Sequence, residues 1–129
     1  MDSLDNVLQQ MDLAFVGSAR HKITVEQLFA ADDAVLLDVR SAEEVATLPL
    51  PFAHHKLVSI NIPLHTLPEC CEQVPRAGVV GIFCPHSVRA AVAYTYLRSK
   101  GYDNVRVLEG GYAAICDMAR PGVVLAQIK

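Results

Sequence analysis

Two rhythms of apolar residues alternate along the chain. Short, nearly unbroken apolar runs stand at Val35-Leu36-Leu37-Asp38-Val39 and Val79-Val80-Gly81-Ile82-Phe83, with briefer ones at Leu57 to Ile60 and Val105 to Leu108. Runs of that length fit strands buried on both faces. Ile23 reads as one more short strand-like element. Between the runs the apolar spacing becomes helical. Val7, Leu8 and Met11 predict a short N-terminal helix over Asp5 to Leu13. Thr24 with Gln27, and Ser41 with Glu44, have the spacing of capping boxes. They predict helices running through Phe29 and to about Ala46. Leu64 to Gln73 reads as helical, with Pro68 blurring its start. Ser87 to Lys100 is the longest helical stretch, and Gly101 fits its stop. Gly110-Gly111 turns into a last helix through about Met118, which Pro121-Gly122 should end. This repeated strand–helix–strand order predicts an α/β fold with a mainly parallel five-stranded sheet and helices on both faces. The expected organisation is an N-terminal helical extension over residues 1–20, one domain over 21–120 and a C-terminal tail over 121–129.

Composition narrows the class. At 129 residues, 52% of them hydrophobic and only 6% aromatic, the chain can build one aliphatic core. A net charge of -3 gives no electrostatic case for nucleic acid or an anionic membrane as partner. No apolar run approaches the length of a membrane span. The start, Met1-Asp2-Ser3-Leu4-Asp5, lacks the basic-then-apolar order of a signal peptide. Cys70, Cys71, Cys84 and Cys116 follow neither a disulfide framework nor a zinc-site spacing. Free thiols in a reducing cytoplasm, with no cofactor and no metal, are the expectation.

Cys84 is the residue with the clearest chemistry. It ends an apolar run and opens Pro85-His86-Ser87-Val88-Arg89, after which a helix begins. Loop N–H groups and a helix N-terminus present positive potential there, which stabilises a thiolate and makes it a nucleophile. A cysteine at the end of a core strand can also be simple packing. Arg89 and Ser87 within the same loop, and the position at the carboxyl end of a parallel strand, favour the catalytic reading.

Four segments together resemble the single-domain rhodanese-like sulfurtransferases. These are Leu36-Leu37-Asp38-Val39-Arg40 with Glu43-Glu44, His55 followed by Ile60-Asn61-Ile62-Pro63, the loop Cys84 to Arg89, and Val107-Leu108-Glu109-Gly110-Gly111-Tyr112. The resemblance runs from about Ile23 to Ile115 and leaves the first twenty or so residues outside it. It implies that Cys84 takes sulfane sulfur from a small-molecule donor such as thiosulfate, holds it as a persulfide, and passes it to a thiol, protein or other thiophilic acceptor. N–H groups of residues 86 to 89 and the side chains of Ser87 and Arg89 would cradle the charge, with Pro85, His86, Ser87, Val88 and Arg89 as the substrate-binding loop. Asp38 and Arg40 would support the loop, the plainer alternative being a local ion pair or helix cap.

Several positions depart from the family pattern. Ser87 stands where the family loop commonly has glycine, at a cost of roughly 1 kcal/mol if φ is positive there. Pro85 removes an N–H from the cradle. The stretch before His55 is long, and Leu48 to Phe52 is expected to form an apolar lip selecting the acceptor. His86 reads as an exposed loop residue in preference to a proton donor. His54, His55 and His65 lack the partners a metal site needs. Cys70 and Cys71 are expected as one buried and one exposed helix position, and Cys116 as core. Three rival functions remain in view. A cysteine phosphatase loop has five residues between cysteine and arginine, where four stand here. A dithiol redox protein would need a second cysteine at Ser87. A non-catalytic rhodanese-like binding or sulfur-sensing module keeps the fold and drops the chemistry.

Overall fold

The computed structural model describes residues 3–50 and 57–128. Five strands form one sheet: β1 (Lys22–Ile23), β2 (Val35–Asp38), β3 (Val58–Asn61), β4 (Val80–Phe83) and β5 (Val105–Leu108). Their order is β1-β5-β4-β2-β3, and every neighbouring pair is parallel. The central strands β2 and β4 are buried along their whole length, as their unbroken apolar runs require. From β2 the chain moves outward to β3, and from β4 it moves the other way to β5. The carboxyl ends of β2 and β4 therefore flank the topological switch point, where open α/β sheets hold their sites.

Strand alternation divides the core in two. Leu37, Val39, Val80, Ile82 and Cys84 pack on one face against Ala90, Ala93, Tyr94 and Leu97 of α6 (Val88–Ser99). Leu36, Phe83 and Leu108 face the other way, against Val25 and Leu28 of α3 (Val25–Ala30) and Ile115 of α7 (Gly111–Asp117). Both capping boxes are formed, at Thr24–Gln27 before α3 and at Ser41–Glu44 before α4 (Ala42–Thr47).

Five sequence expectations are corrected. The N-terminal stretch is two helices, α1 (Leu4–Gln10) and α2 (Leu13–Gly17), because Asp12 accepts from the Phe15 N–H and starts a new helix. Buried Val7 and the bond from Arg98 to the Gln10 Oε1 hold α1 against α6. Leu64 to Gln73 is a 3-10 turn, the short helix α5 (Leu67–Cys70) with Pro68 in its first turn, and a second 3-10 turn. That broken path leaves Cys70 and Cys71 both half-buried, whereas a regular helix would bury one and expose the other. Cys116 is exposed, since α7 buries Ile115 and the next residue turns outward. Finally, residues 121–128 form α8 (Pro121–Ile128) and not a tail. Pro121 begins this helix, where its missing N–H costs nothing.

Candidate active site

Cys84 sits directly after β4, only 2% exposed. Its Sγ receives the Ala90 N–H at 3.2 Å, across the loop that the chain makes before α6. The geometry is that of a helix cap. Ser87 occupies the N-cap position of α6, yet its hydroxyl makes no capping bond. The sulfur of Cys84 takes that place at the third residue of the helix, with the dipole of the first turn directed at it. The N–H that reaches the sulfur is thus that of Ala90, one residue beyond the expected cradle of residues 86 to 89. No spacing rule in the sequence marks Ala90, because the bond depends on how tightly the loop closes.

Loop closure is made by Ser87, at φ 67° and ψ -7°. This left-handed conformation is the one that favours glycine, so serine is strained there by roughly 1 kcal/mol. The condition attached to this position in the sequence is met. Pro85 is half-buried, His86 is exposed, and the Val88 side chain is 71% exposed at the mouth of the loop. Gly111 braces the loop from the far side. Its φ is 55°, and a Cβ there would overlap the Pro85 carbonyl oxygen. The Gly110-Gly111 pair therefore lets the α7 backbone come against the Cys84 loop.

Asp38 and Arg40 lie behind the loop, on the opposite face of the sheet from Cys84. The Arg40 Nη2 meets Asp38 Oδ2 at 2.7 Å, and its Nε reaches both carboxylate oxygens. The Arg40 Nη1 donates to the Leu48 carbonyl at 2.8 Å and to the Tyr112 hydroxyl at 2.9 Å. Its guanidinium carbon is 5.3 Å from the Phe83 ring centroid and 5.5 Å from that of Tyr112. Asn61 Nδ2 ties down the carbonyls of Asp38 and Arg40. The Val39 N–H donates to the carbonyl of Phe83, the residue before Cys84. The pair is a local ion pair that also contacts Phe83, Leu48 and Tyr112.

Arg89 is paired with a carboxylate from another helix. Its guanidinium forms a two-pronged pair with Glu44, Nη1 to Oε1 at 2.6 Å and Nη2 to Oε2 at 2.9 Å. That pair ties α6 to α4, and both side chains are partly open to solvent. Arg89 first, and the Ser41 backbone N–H second, hold the Glu44 carboxyl well below the usual carboxylate range. Glu44 in turn holds the Arg89 guanidinium above its ordinary value. Glu44 was legible as half of a capping box and as part of the segment trailing Arg40; the bond to a residue 45 positions later had no local signal. Beside Arg89 lies a pocket of about 280 Å³ lined by Val39, Ser41, Pro63, Leu64, His65 and Arg89. Of the expected apolar lip, Leu48 is 47% exposed and Leu50 packs on the core, while Pro51 and Phe52, with His54 and His55, lie outside the described residues.

The family model for the rhodanese-like domain matches residues 23–118. A sulfurtransferase from Allochromatium vinosum is 30% identical over 69% of this chain and 78% of its own length. A tRNA sulfurtransferase from Aeromonas salmonicida is 27% identical over 83% of this chain, which spans only 22% of that protein. Among solved structures, a rhodanese-related protein from Thermoplasma volcanium superposes with a TM-score of 0.63 at 28% identity, covering 78% of this chain and 95% of that one. Such relatives support sulfurtransferase activity in general terms. With the all-parallel sheet, the Cys84 loop at its switch point and the match across residues 23–118, the chain belongs to the rhodanese-like domain family.

Proposed function

We propose that the chain is a sulfurtransferase that carries sulfane sulfur on Cys84 as a persulfide and passes it to a thiophilic acceptor. In the first half-reaction the Cys84 thiolate attacks the outer sulfur of a donor, the donor's S–S bond breaks, and the donor leaves with the electron pair. In the second, an acceptor thiolate or cyanide attacks the outer sulfur of Cys84–S–SH and regenerates the thiolate. The observation that carries this reading is the Ala90 N–H bond to Sγ, at the positive end of a twelve-residue helix. That environment favours negative charge on sulfur in both half-reactions. His86, exposed at the loop, is not required for either step.

Near-complete burial of Cys84 favours a second reading, a rhodanese-like module that binds partners without chemistry. Intact-protein mass spectrometry separates the two. Wild type and Cys84→Ser are each incubated with thiosulfate, a thiosulfonate and a low-molecular-weight persulfide. Gain of one sulfur by wild type only, lost on adding cyanide, is the expected result. Silence with all three donors would establish the binding module instead.

A further inference from the structure

Arg40 and Arg89, the guanidinium groups near the Cys84 loop, are each matched by a carboxylate. At the opposite end of α6 the balance is different. There α2, the turn before β1, the end of α6 and the start of β5 border a pocket of about 310 Å³. Arg20, Lys22, Arg98 and Arg106 line it, with Asp103 the one carboxylate among its lining residues and Phe15 an aromatic wall. Four of the eleven lysines and arginines of a chain with net charge -3 are thus gathered in one place. Two larger pockets are built differently. Glu26 and Asp117 with Arg120 line the one between α3 and α8, and Asp32 and Asp33 line the one at the start of β2.

What these cations already hold shows what the pocket lacks. Lys22 is paired with Glu109 at 2.7 Å. Arg98 gives Nη1 to the Tyr94 hydroxyl at 2.7 Å and Nη2 to Gln10 Oε1 at 2.6 Å, both neutral acceptors. Its buried Nε donates to nothing among the described residues. Arg106 gives Nη1 to the carbonyls of Asp103 and Val105. The side chain of exposed Arg20 has no partner among the described residues. Three guanidinium groups therefore share Asp103 as their only nearby counter-charge in the pocket. Gathered like charges repel, and a ligand with two or more negative charges supplies what is missing. Guanidinium forks match the oxygens of phosphate. Phe15, whose ring stacks on His21 with centroids 6.2 Å apart, adds an apolar surface for a flat ring. The volume is at the lower end for small-molecule sites.

We propose that this pocket binds a small phosphorylated molecule of the nucleoside diphosphate class, with its phosphates on Arg20, Arg98 and Arg106 and its ring beside Phe15. Ala90 and Arg98 stand about 12 Å apart along the axis of α6, so the pocket is separate from the Cys84 loop. The site does not depend on sulfur transfer. Phe15, Arg20 and Lys22 also precede the segment matched by the family model.

The test is an amide NMR titration of the full chain at low salt with ADP, inorganic pyrophosphate and adenosine. Wild type is compared with Arg20→Gln and Arg120→Gln. The Arg20 side chain is exposed, so its variant should keep the fold, and the same spectra show whether it does. ADP should shift the amides of residues 15–22 and 103–106 with a Kd of about 0.1 mM or tighter, and added salt should weaken it. Pyrophosphate should bind about tenfold more weakly, for want of the ring, and adenosine more weakly still. Arg20→Gln should weaken ADP by about tenfold, and Arg120→Gln should not change it. The proposal is overturned if ADP leaves these amides unmoved, if pyrophosphate or adenosine binds as tightly as ADP, or if the two variants behave alike. A short single-stranded RNA that binds these residues more tightly than ADP would also overturn it, by assigning the cations to a polynucleotide backbone.

Discussion

Two carboxylate–guanidinium pairs flank the Cys84 loop, one behind it and one in front, and they do different work. Asp38–Arg40 lies under the sheet end with side chains 7% and 0% exposed. Glu44–Arg89 stands at the rim with side chains 35% and 38% exposed. The chemistry is the same and the geometry is nearly as good. Burial decides the outcome. A buried pair is costly to assemble and more costly to break, because either partner left alone keeps an uncompensated charge. An exposed pair is screened and adds little stability, but it fixes which charge the surroundings feel. The rear pair is thus part of the scaffold, and the front pair stands open to solvent at the rim.

Arg40→Ala is the strongest way to break the comparison. It strands the Asp38 carboxylate and frees the Tyr112 hydroxyl and the Leu48 carbonyl. The expected loss is about 3–5 kcal/mol in urea unfolding, and a loss below about 1 kcal/mol would show the two pairs to be equivalent. A smaller effect of opposite sign is expected at the loop itself. Ser87→Gly removes the left-handed strain but adds freedom to the unfolded chain, for a net gain of at most about 0.5 kcal/mol. A drop in thermal midpoint would mean that the serine side chain makes contacts that outweigh its backbone strain. The mildest probe is pH. The Glu44 carboxyl is held low in the folded protein, so its contribution is complete above the ordinary glutamate value near about 4.3 and fades only as pH falls toward its lowered folded value. Carboxyl-carbon NMR should find Glu44 still ionised at pH 3, below the ordinary glutamate value. Titration of Glu44 at the ordinary glutamate value would mean that the Arg89 pair does not persist in solution.

The two pairs also differ in how visible they were beforehand. Asp38 and Arg40 are two residues apart at the end of an apolar run, so their pairing is a local matter. The capping boxes at Thr24 and Ser41 were legible for the same reason, as were the strands and the placement of Cys84 at the carboxyl end of β4. Glu44 and Arg89 come from different helices, and nothing in either segment names the other. Ala90 has no chemistry of its own; only the closed loop brings its N–H to the sulfur. The misread C-terminus has a separate cause. Proline ends a helix when it falls inside one and opens a helix when it falls first, and the string Arg120-Pro121-Gly122 fits both.

The bond from the Ala90 N–H to Sγ has a reciprocal side. If the first turn of α6 steadies the sulfur, linkage requires that the sulfur steadies the first turn to the same degree. Ser87 offers no cap of its own, so in the first turn of this helix a sulfur stands where a capping hydroxyl would. Along the same helix, Arg98 reaches Gln10 of α1, outside the segment that the family shares. The helix thus joins the sulfur at one end to a contact near the other, so whatever steadies its first turn bears on the same rod that holds α1.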